Sequence, residues 1–252
     1  MKIAYITAGA GENYRCDNCL RDAALLRALS QAGHQVLAVP LYLPAYVEQP
    51  GQAVVAPMFF GGINVYLQQK LALFRRTPRW IDRLFDSPTL LRWLSRRSSM
   101  TRPADLANTL LSMLAGRDGR QAKELQRLMD FLSLQRHDVV VLSNALLSGL
   151  ACPIARELRL PVVCLLQDED GFVEGLGESY SAEAWSELAR CCRDVRAFIA
   201  PSHAYAETMA GRLNLPPDAV HVVDLGAQGD ELPLAAAAMS NIFQAAAMEA
   251  AT

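Results

Sequence analysis

The sequence predicts an α/β fold built on a doubly wound, mostly parallel sheet. Six short runs recur along the chain that are apolar throughout rather than alternating, which is typical of parallel strands covered on both faces. Helical periodicity fills most intervals between them, and right-handed crossovers joining such units produce a doubly wound sheet. The predicted strands span residues 3–7, 36–40, 138–142, 162–166, 197–200 and 220–223.

Composition places the chain among ordinary globular proteins and excludes some partners. The 252 residues are 52% hydrophobic and 20% charged, with a net charge of −2, so no overall field attracts nucleic acid. The first residues enter a strand directly, without a secretory signal, and no run of 18 apolar residues is present. We therefore expect a cytoplasmic protein that does not bind nucleic acid and whose six cysteines are reduced.

Four helices are predicted between these strands, over residues 18–32, 145–158, 181–193 and 204–213. The first is ended by Gly33, a common residue just after a helix. Its expected buried face consists of Leu20, Ala24, Leu25, Ala28 and Leu29.

The interval 63–134 differs, because it is helical in pattern and has no strand candidate, which predicts an inserted helical subdomain. Its first part interleaves arginines, including Arg75, Arg76 and Arg79, with aromatic residues. Such a surface could bind a phosphate-bearing or lipid-linked substrate and contact a membrane peripherally. The alternative is a solvated helix face with buried aromatics.

The loop after the first predicted strand contains the first candidate site residues: Gly9, Ala10, Gly11, Glu12 and Asn13. Glycines allow a backbone to approach a ligand closely, and the following helix offers free N–H groups. The dinucleotide fingerprint fails because Tyr14 occupies its third glycine position, and no P-loop lysine follows. The loop is therefore either a ligand contact or a plain tight turn.

Cys16 and Cys19 form a Cys-x-x-Cys pair at the start of the first helix. This spacing suits redox chemistry or half a zinc site. The sequence offers no second pair of that kind, so we expect a reduced pair packed beneath the loop, no metal and no cofactor.

Polar residues also follow the later strands. Gln167 and Asp168, with Glu169 and Asp170 behind them, come directly after the strand at 162–166 and could bind sugar hydroxyls or a divalent metal. The alternative is an acidic loop that caps the next segment. Asn144 follows the preceding strand as a helix cap and pocket wall. Ser202 and His203 follow the strand at 197–200 and combine capping with a ligand contact.

The order of these segments resembles the N-terminal domain of family-4 glycosyltransferases. The segments 138–150, 160–170, 197–205 and 215–223 carry the resemblance, which spans nearly all of residues 1–226. It implies a Rossmann-like domain of the two-domain GT-B fold. It also implies a retaining, metal-independent hexosyltransferase type that uses a nucleotide-sugar donor and a sugar or lipid-linked acceptor.

The resemblance also assigns roles to some residues. Gly9, Ala10, Gly11 and Glu12 match the glycine-rich loop that approaches the donor diphosphate and the acceptor, and Ser202 and His203 match a segment lining the interdomain cleft. Gln167 stands where the family has a pocket histidine. Glutamine can hydrogen-bond a sugar hydroxyl but cannot titrate. No catalytic residue is predicted.

Beyond the expected hinge at 224–227, residues 227–252 form an alanine-rich tail that is expected to be helical or frayed. We expect the donor-binding C-terminal domain to be missing, so the chain is expected to bind nucleotide sugar weakly and to be inactive alone. A partner supplying that half, or a homodimer, would then be needed. The alternatives are a non-catalytic scaffold derived from a glycosyltransferase and one subunit of a split enzyme.

Overall fold

The computed structural model describes residues 1–9, 17–43, 54–60, 103–225 and 231–250. In these ranges, seven strands form one parallel sheet in the order β3-β2-β1-β4-β5-β6-β7. This confirms the predicted doubly wound α/β fold. The strands are β1 Lys2–Thr7, β2 Gln35–Pro40, β3 Val54–Val55, β4 Val139–Leu142, β5 Val162–Leu165, β6 Ala197–Ala200 and β7 Val220–Val222.

Strand β3 was not predicted from the sequence. It is two residues long and lies at one edge of the sheet, where Val54 is 70% exposed. At two residues, it is shorter than the runs of four or more that predict a strand. The six other strands lie within one residue of their predicted bounds at each end.

The core has two layers because side chains alternate across the sheet. Ile3 and Tyr5 of β1 enter one hydrophobic cluster, and Ala4 and Ile6 enter the other. Helices α1 and α8 cover the first face, and the remaining helices contribute to the second. The helices are α1 Asp17–Gln31, α2 Pro103–Leu114, α3 Ala122–Ser133, α4 Ala151–Glu157, α5 Glu169–Glu174, α6 Glu178–Cys191, α7 His203–Leu213 and α8 Glu231–Ala250.

The predicted buried face of helix α1 is confirmed for Leu25, Ala28 and Leu29, and Ala24 is partly buried. Its buried residues are Asp22, Ala23, Leu25, Leu26, Ala28 and Leu29, whereas Leu20 is 42% exposed. The prediction for Leu20 is wrong because the apolar stripe continues through Asp22, which occupies helical spacing with Leu25, Leu26 and Leu29.

The second half of the interval 63–134 shares the main core. Buried side chains of α2 and α3, such as Leu110 and Leu128, belong to the same hydrophobic cluster as Ile6 and Leu142 of the sheet. Residues 63–102, and with them Arg75, Arg76 and Arg79, lie outside the described residues.

The helix predicted at 145–158 is divided. A 3-10 helix covers Ala145–Leu150, and α4 follows from Ala151 to Glu157. A β-carbon added to Gly149 would lie 2.0 Å from the Met113 carbonyl oxygen, so α2 passes directly against this segment. The predicted helix at 181–193 begins earlier, at Glu178, and ends in a 3-10 turn.

Helix α8 packs along the same face as α1. Its buried residues Leu232, Ala235, Ala236, Met239, Phe243 and Ala246 follow helical spacing and join the cluster of the sheet. His34 Nε2 lies 2.7 Å from the Ser240 hydroxyl, and Arg196 pairs with Glu249 near the far end of the helix. Within the described ranges, no helix is long and apolar enough to cross a membrane.

The loop after β1 passes very close to the loop after β2. The backbone N–H groups of Tyr42 and Leu43 both donate to the Ala8 carbonyl oxygen at 3.0 Å. Gly9 has φ 87°, and a β-carbon there would lie 1.8 Å from the Leu43 carbonyl oxygen. Glycine is therefore required at this position both for its backbone angle and for space.

Replacing Gly9 with alanine should lower the free energy of unfolding by roughly 2 to 4 kcal/mol, since the clash adds to the cost of the backbone angle. Gly33→Ala is the matched control, because Gly33 also has φ 87° but has no neighbour within 4 Å of an added β-carbon. It should cost about 1 kcal/mol. Urea unfolding of both variants measures the difference, and equal losses would contradict the close approach.

Candidate functional site

Polar side chains join the carboxyl ends of three neighbouring strands. The Asp22 carboxylate accepts hydrogen bonds from Tyr5 Oη at 2.8 Å, Thr7 Oγ1 at 2.6 Å and Gln167 Nε2 at 3.2 Å. Thr7 Oγ1 in turn accepts from the Gly9 N–H at 3.3 Å. We call Tyr5, Thr7, Asp22, Gln167 and Arg21 the Asp22 network. It brings the first loop and the loop after β5 together at one edge of the sheet.

Burial dominates the electrostatics of this network. Removal from water raises the pKa of Asp22 to about 6, although hydrogen bonds from Thr7, Tyr5 and Gln167 and the nearby Arg21 favour its ionised form. The pKa of Tyr5 also lies well above its usual value, mainly because of burial and secondarily because of Asp22. With a pKa of about 6, the Asp22 carboxyl changes its protonation state within the pH range in which many proteins work.

Gln167 does not present its side chain to a substrate as the sequence led us to expect. The residue is 2% exposed. Its Nε2 donates to Asp22 and, at 2.6 Å, to the Ser143 carbonyl oxygen after β4, while its Oε1 accepts from Arg21 at 2.8 Å. Both N–H groups and the oxygen of the amide thus have protein partners, and Gln167 positions the surrounding loops.

Arg21 and Asn18 of α1 form the outer side of the network. Arg21 Nη1 donates to Asn18 Oδ1 at 2.9 Å as well as to Gln167, and Asn18 Nδ2 lies 3.4 Å from the Gln167 carbonyl oxygen. Arg21 is half-buried, and its described hydrogen-bond partners are neutral. A guanidinium held in this way can accept an anionic ligand as a further partner.

A second buried carboxylate lies beside the first. Glu169 is fully buried and accepts from the backbone N–H groups of Ala145 and Gln167, each at 2.8 Å, and from Tyr205 Oη at 2.7 Å. Tyr205 Oη also accepts from the Glu169 N–H at 2.9 Å and lies 3.1 Å from Asp170 Oδ1. We call Glu169, Asp170 and Tyr205 the Glu169 network; it connects α7 to the loops after β4 and β5.

Burial raises the pKa of Glu169, and the backbone N–H groups of Ala145 and Gln167 partly offset this effect. Burial likewise raises the pKa of Tyr205, with the carboxylate of Glu169 adding to it. Of the acids after β5, Glu169 is therefore a structural group rather than a surface ligand.

Two further candidate residues lie at this edge, and one of them is accessible. Asp168 is exposed and has φ 57°, a left-handed conformation that few side chains adopt, and its side chain makes no capping hydrogen bond. Asn144 precedes the 3-10 helix but does not cap it as expected, and its buried Oδ1 has no partner within the described part of the chain. Asp168 can accept hydrogen bonds from a ligand, whereas Asn144 is half-buried and its Oδ1 is enclosed by the protein.

Other candidates are placed differently. Ser202 caps α7 by accepting from the Tyr205 N–H at 3.2 Å, beside the Glu169 network. His203 is exposed and lines a groove of about 630 Å³ along the edge strand β7. Residues 10–13, namely Ala10, Gly11, Glu12 and Asn13, lie outside the described residues.

Cys19 Sγ donates to the Gly9 carbonyl oxygen at 3.7 Å, so this thiol supports the first loop. Cys16 lies outside the described residues. In the ranges that the structure covers, no group of three or more His, Cys, Asp or Glu side chains is arranged to hold a metal ion.

One sizeable cavity among the described residues is not at this edge. It measures about 770 Å³ and lies near the amino ends of β6 and β7, where Arg193, His221 and Asn241 contribute to its wall. Ligands of doubly wound folds bind at the carboxyl ends of strands, and the two networks lie there. We therefore place the candidate site at the networks.

Comparison with known protein families shows which family the chain belongs to. The model of the glycosyl transferase 4-like domain matches residues 23–226. The chain belongs to this family. The match covers β2 to β7 and includes Gln167, Glu169 and Tyr205, and it agrees with the family that the segment order led us to expect. A comparison with curated proteins gave no match.

The sequence did not single out Arg21, Asp22 or Tyr205 in this glycosyl transferase 4-like domain. Each is a polar residue on a helix, and such residues usually face water. A signal did exist for Asp22, because it lies three and four residues before Leu25 and Leu26, on the buried stripe of α1.

Replacing Asp22 with asparagine should change how stability depends on pH. The native pKa of Asp22 is raised from 3.8 to about 6, so ionisation of this carboxyl destabilises the folded state as pH rises through that interval. The wild-type free energy of unfolding, relative to that of D22N, should fall by roughly 3 kcal/mol between about pH 4 and about pH 7.

Denaturant unfolding of both proteins across this pH range measures the effect. Asp168→Asn is the control, since the Asp168 side chain is exposed, and its difference from wild type should stay within about 0.5 kcal/mol. A wild-type free energy of unfolding that rises relative to that of D22N as pH rises would overturn the assignment.

Replacing Tyr205 with phenylalanine removes the hydroxyl that connects Glu169 and Asp170. The buried Glu169 carboxylate then loses a donor, and its backbone N–H loses an acceptor. The free energy of unfolding should fall by about 1 to 3 kcal/mol. Tyr180→Phe, in a half-buried tyrosine packed on the same core, should have a smaller effect when both variants are unfolded in urea.

Proposed function

We propose that this chain is the acceptor-side half of a retaining glycosyltransferase that transfers a sugar from a nucleotide-sugar donor to a sugar or lipid-linked acceptor. The observation that carries the proposal is the Asp22 network, which holds Gly9 and the loop after β5 together at the carboxyl edge of a family-4-like domain. Support also comes from the general position of ligands in doubly wound folds.

The accessible groups suit recognition of a polyhydroxylated ligand. Asp168 is exposed and can accept hydrogen bonds from sugar hydroxyls. Gly9 lies next to the site, where the Leu43 carbonyl oxygen already occupies the space that a side chain would fill. Arg21 can approach a phosphate oxygen while Asn18 and Gln167 hold its guanidinium in place. These groups would bind and orient the substrate. The departing diphosphate needs further positive charge to stabilise it.

That charge is proposed to come from a second nucleotide-binding domain facing this edge, in the same polypeptide or in another one. Large exposed apolar side chains near the carboxyl ends of strands support such a contact: Leu20, Leu43 and Phe172 are 42%, 41% and 38% exposed. A second copy of the chain is the alternative partner. The arginines at 75, 76 and 79 are proposed to favour an anionic, lipid-linked acceptor.

A non-catalytic scaffold is the second candidate. The complete internal pairing of the Gln167 amide favours it, because a residue in the position of the family's pocket histidine is then unavailable to a substrate. The two proposals differ in one property that can be measured, namely whether the carboxyl edge binds sugars.

The test measures ligand binding and sugar transfer separately. Thermal shift with a panel of nucleotide sugars and acceptor sugars should show weak stabilisation of the 252-residue chain, since a ligand that binds the native state raises its melting temperature. Asp168→Asn should weaken this binding about tenfold, as expected for one lost charged hydrogen bond. Asp118→Asn, an exposed aspartate on a remote 3-10 turn, is the matched control.

Transfer is then followed by mass spectrometry of the acceptor. The chain alone should give no product, and addition of a complementary nucleotide-binding domain should restore turnover. Robust transfer by the chain alone would contradict the need for a second domain. Absence of any sugar or nucleotide-sugar binding by a folded protein would reject the transferase proposal in favour of the scaffold.

A further inference from the structure

A second cavity, of about 610 Å³, lies at the amino ends of β1 and β2, at the opposite edge of the sheet from the two networks. Its polar wall includes Lys2, His34, Gln35, Arg136 and His137, and no carboxylate side chain is among its lining residues in the described ranges. The size falls in the range of small-molecule sites. Two cationic side chains line the cavity, and the nearby Asp138 carboxylate is not among its lining residues.

The backbone of this cavity is held rigidly by the sheet. The Gln35 N–H donates to the Met1 carbonyl oxygen at 2.9 Å, and the Asp138 N–H donates to the Lys2 carbonyl oxygen at 2.8 Å. The neighbouring carboxylate of Asp138 accepts from the Lys2 backbone N–H at 2.7 Å. The nearby acid is thus engaged with the backbone, and the chain segments that carry Lys2, Gln35 and His137 keep a fixed spacing.

His137 is the buried polar group of this wall. The residue is 9% exposed, and its Nε2 is buried without a hydrogen-bond partner. Burial lowers the pKa of His137, and Lys2 lowers it further, against the opposing effect of Asp138. An unpaired buried nitrogen normally costs stability, and a bound ligand is one way in which such a group finds its partner.

His34 contrasts with His137. Its Nδ1 lies 3.4 Å from the Met1 amine and its Nε2 lies 2.7 Å from the Ser240 hydroxyl. Both nitrogens of His34 therefore have partners and secure α8 against α1. His34 therefore has a structural role, whereas the Nε2 of His137 has no hydrogen-bond partner among the described residues.

We propose that this cavity binds the phosphate group of a small ligand between Lys2, Arg136 and His137. Arg136 and Lys2 are exposed and can turn toward the anion, and a guanidinium matches two phosphate oxygens at once. The volume exceeds that of a bare phosphate, which leaves room for the organic part of a phosphomonoester. This site is separate from the proposed sugar-transfer site and does not depend on it.

The experiment titrates the 252-residue protein with inorganic phosphate and, in a parallel arm, with glycerol 3-phosphate, while NMR follows the histidine Cε1–H signals. A saturable shift of the His137 signal is expected, together with a higher pKa of His137 in the complex, since a nearby anion favours the imidazolium. Saturation by both ligands with similar affinity indicates a site for free phosphate, and tighter binding of the ester indicates a phosphomonoester site.

Arg136→Gln and Lys2→Gln should each weaken binding about tenfold or more, as expected for a lost charge-assisted contact. Both side chains are exposed, so the variants should keep the wild-type melting temperature. Arg193→Gln is the matched control, because it removes an exposed cation that lines the other amino-end cavity. Absence of a saturable shift, or equal weakening by Arg193→Gln, would overturn the proposal.

Discussion

The carboxyl edge of this domain depends on one buried carboxylate. Asp22 receives donors from β1 and from the loop after β5, which are separated in the sheet by β4, and Gln167 reaches the β4 end through the Ser143 carbonyl oxygen. A buried carboxylate without these donors would be costly, and a carboxylate with them draws three strand ends together. The position of Gly9, and hence of the first loop, follows through Thr7.

This constraint accounts for the way in which the side chain of Gln167 is bonded. The Gln167 amide donates twice, to Asp22 and to the Ser143 carbonyl oxygen, and accepts once, from Arg21. A neutral imidazole has one donor and one acceptor, so it could not satisfy all three partners. Glutamine therefore fits this buried position, whereas histidine would leave one of the three partners unsatisfied.

The sequence predicted six of the seven strands but only part of the two networks, and α1 shows why. Apolar runs identify buried strands directly, because burial of both faces requires them. In α1, the same reasoning assigned Leu20 to the core and overlooked Asp22, since a charged residue in a helix usually faces water. Arg21 and Tyr205 were missed for a related reason: their partners come from strand ends distant in sequence, which only the folded sheet brings near.

The two networks also limit what this edge can do chemically. Asp22, Glu169 and Gln167 are buried and hydrogen-bonded to protein, so they can position a substrate but do not reach it. The accessible Asp168 is an anion, and Arg21 is the cation that the described part of the chain brings into the Asp22 network. Stabilising a leaving diphosphate needs several fixed positive charges or N–H donors aimed at it in a water-excluded site. Among the described residues, this edge therefore supplies positions held by hydrogen bonds but only one cation in the Asp22 network, fewer than that stabilisation requires.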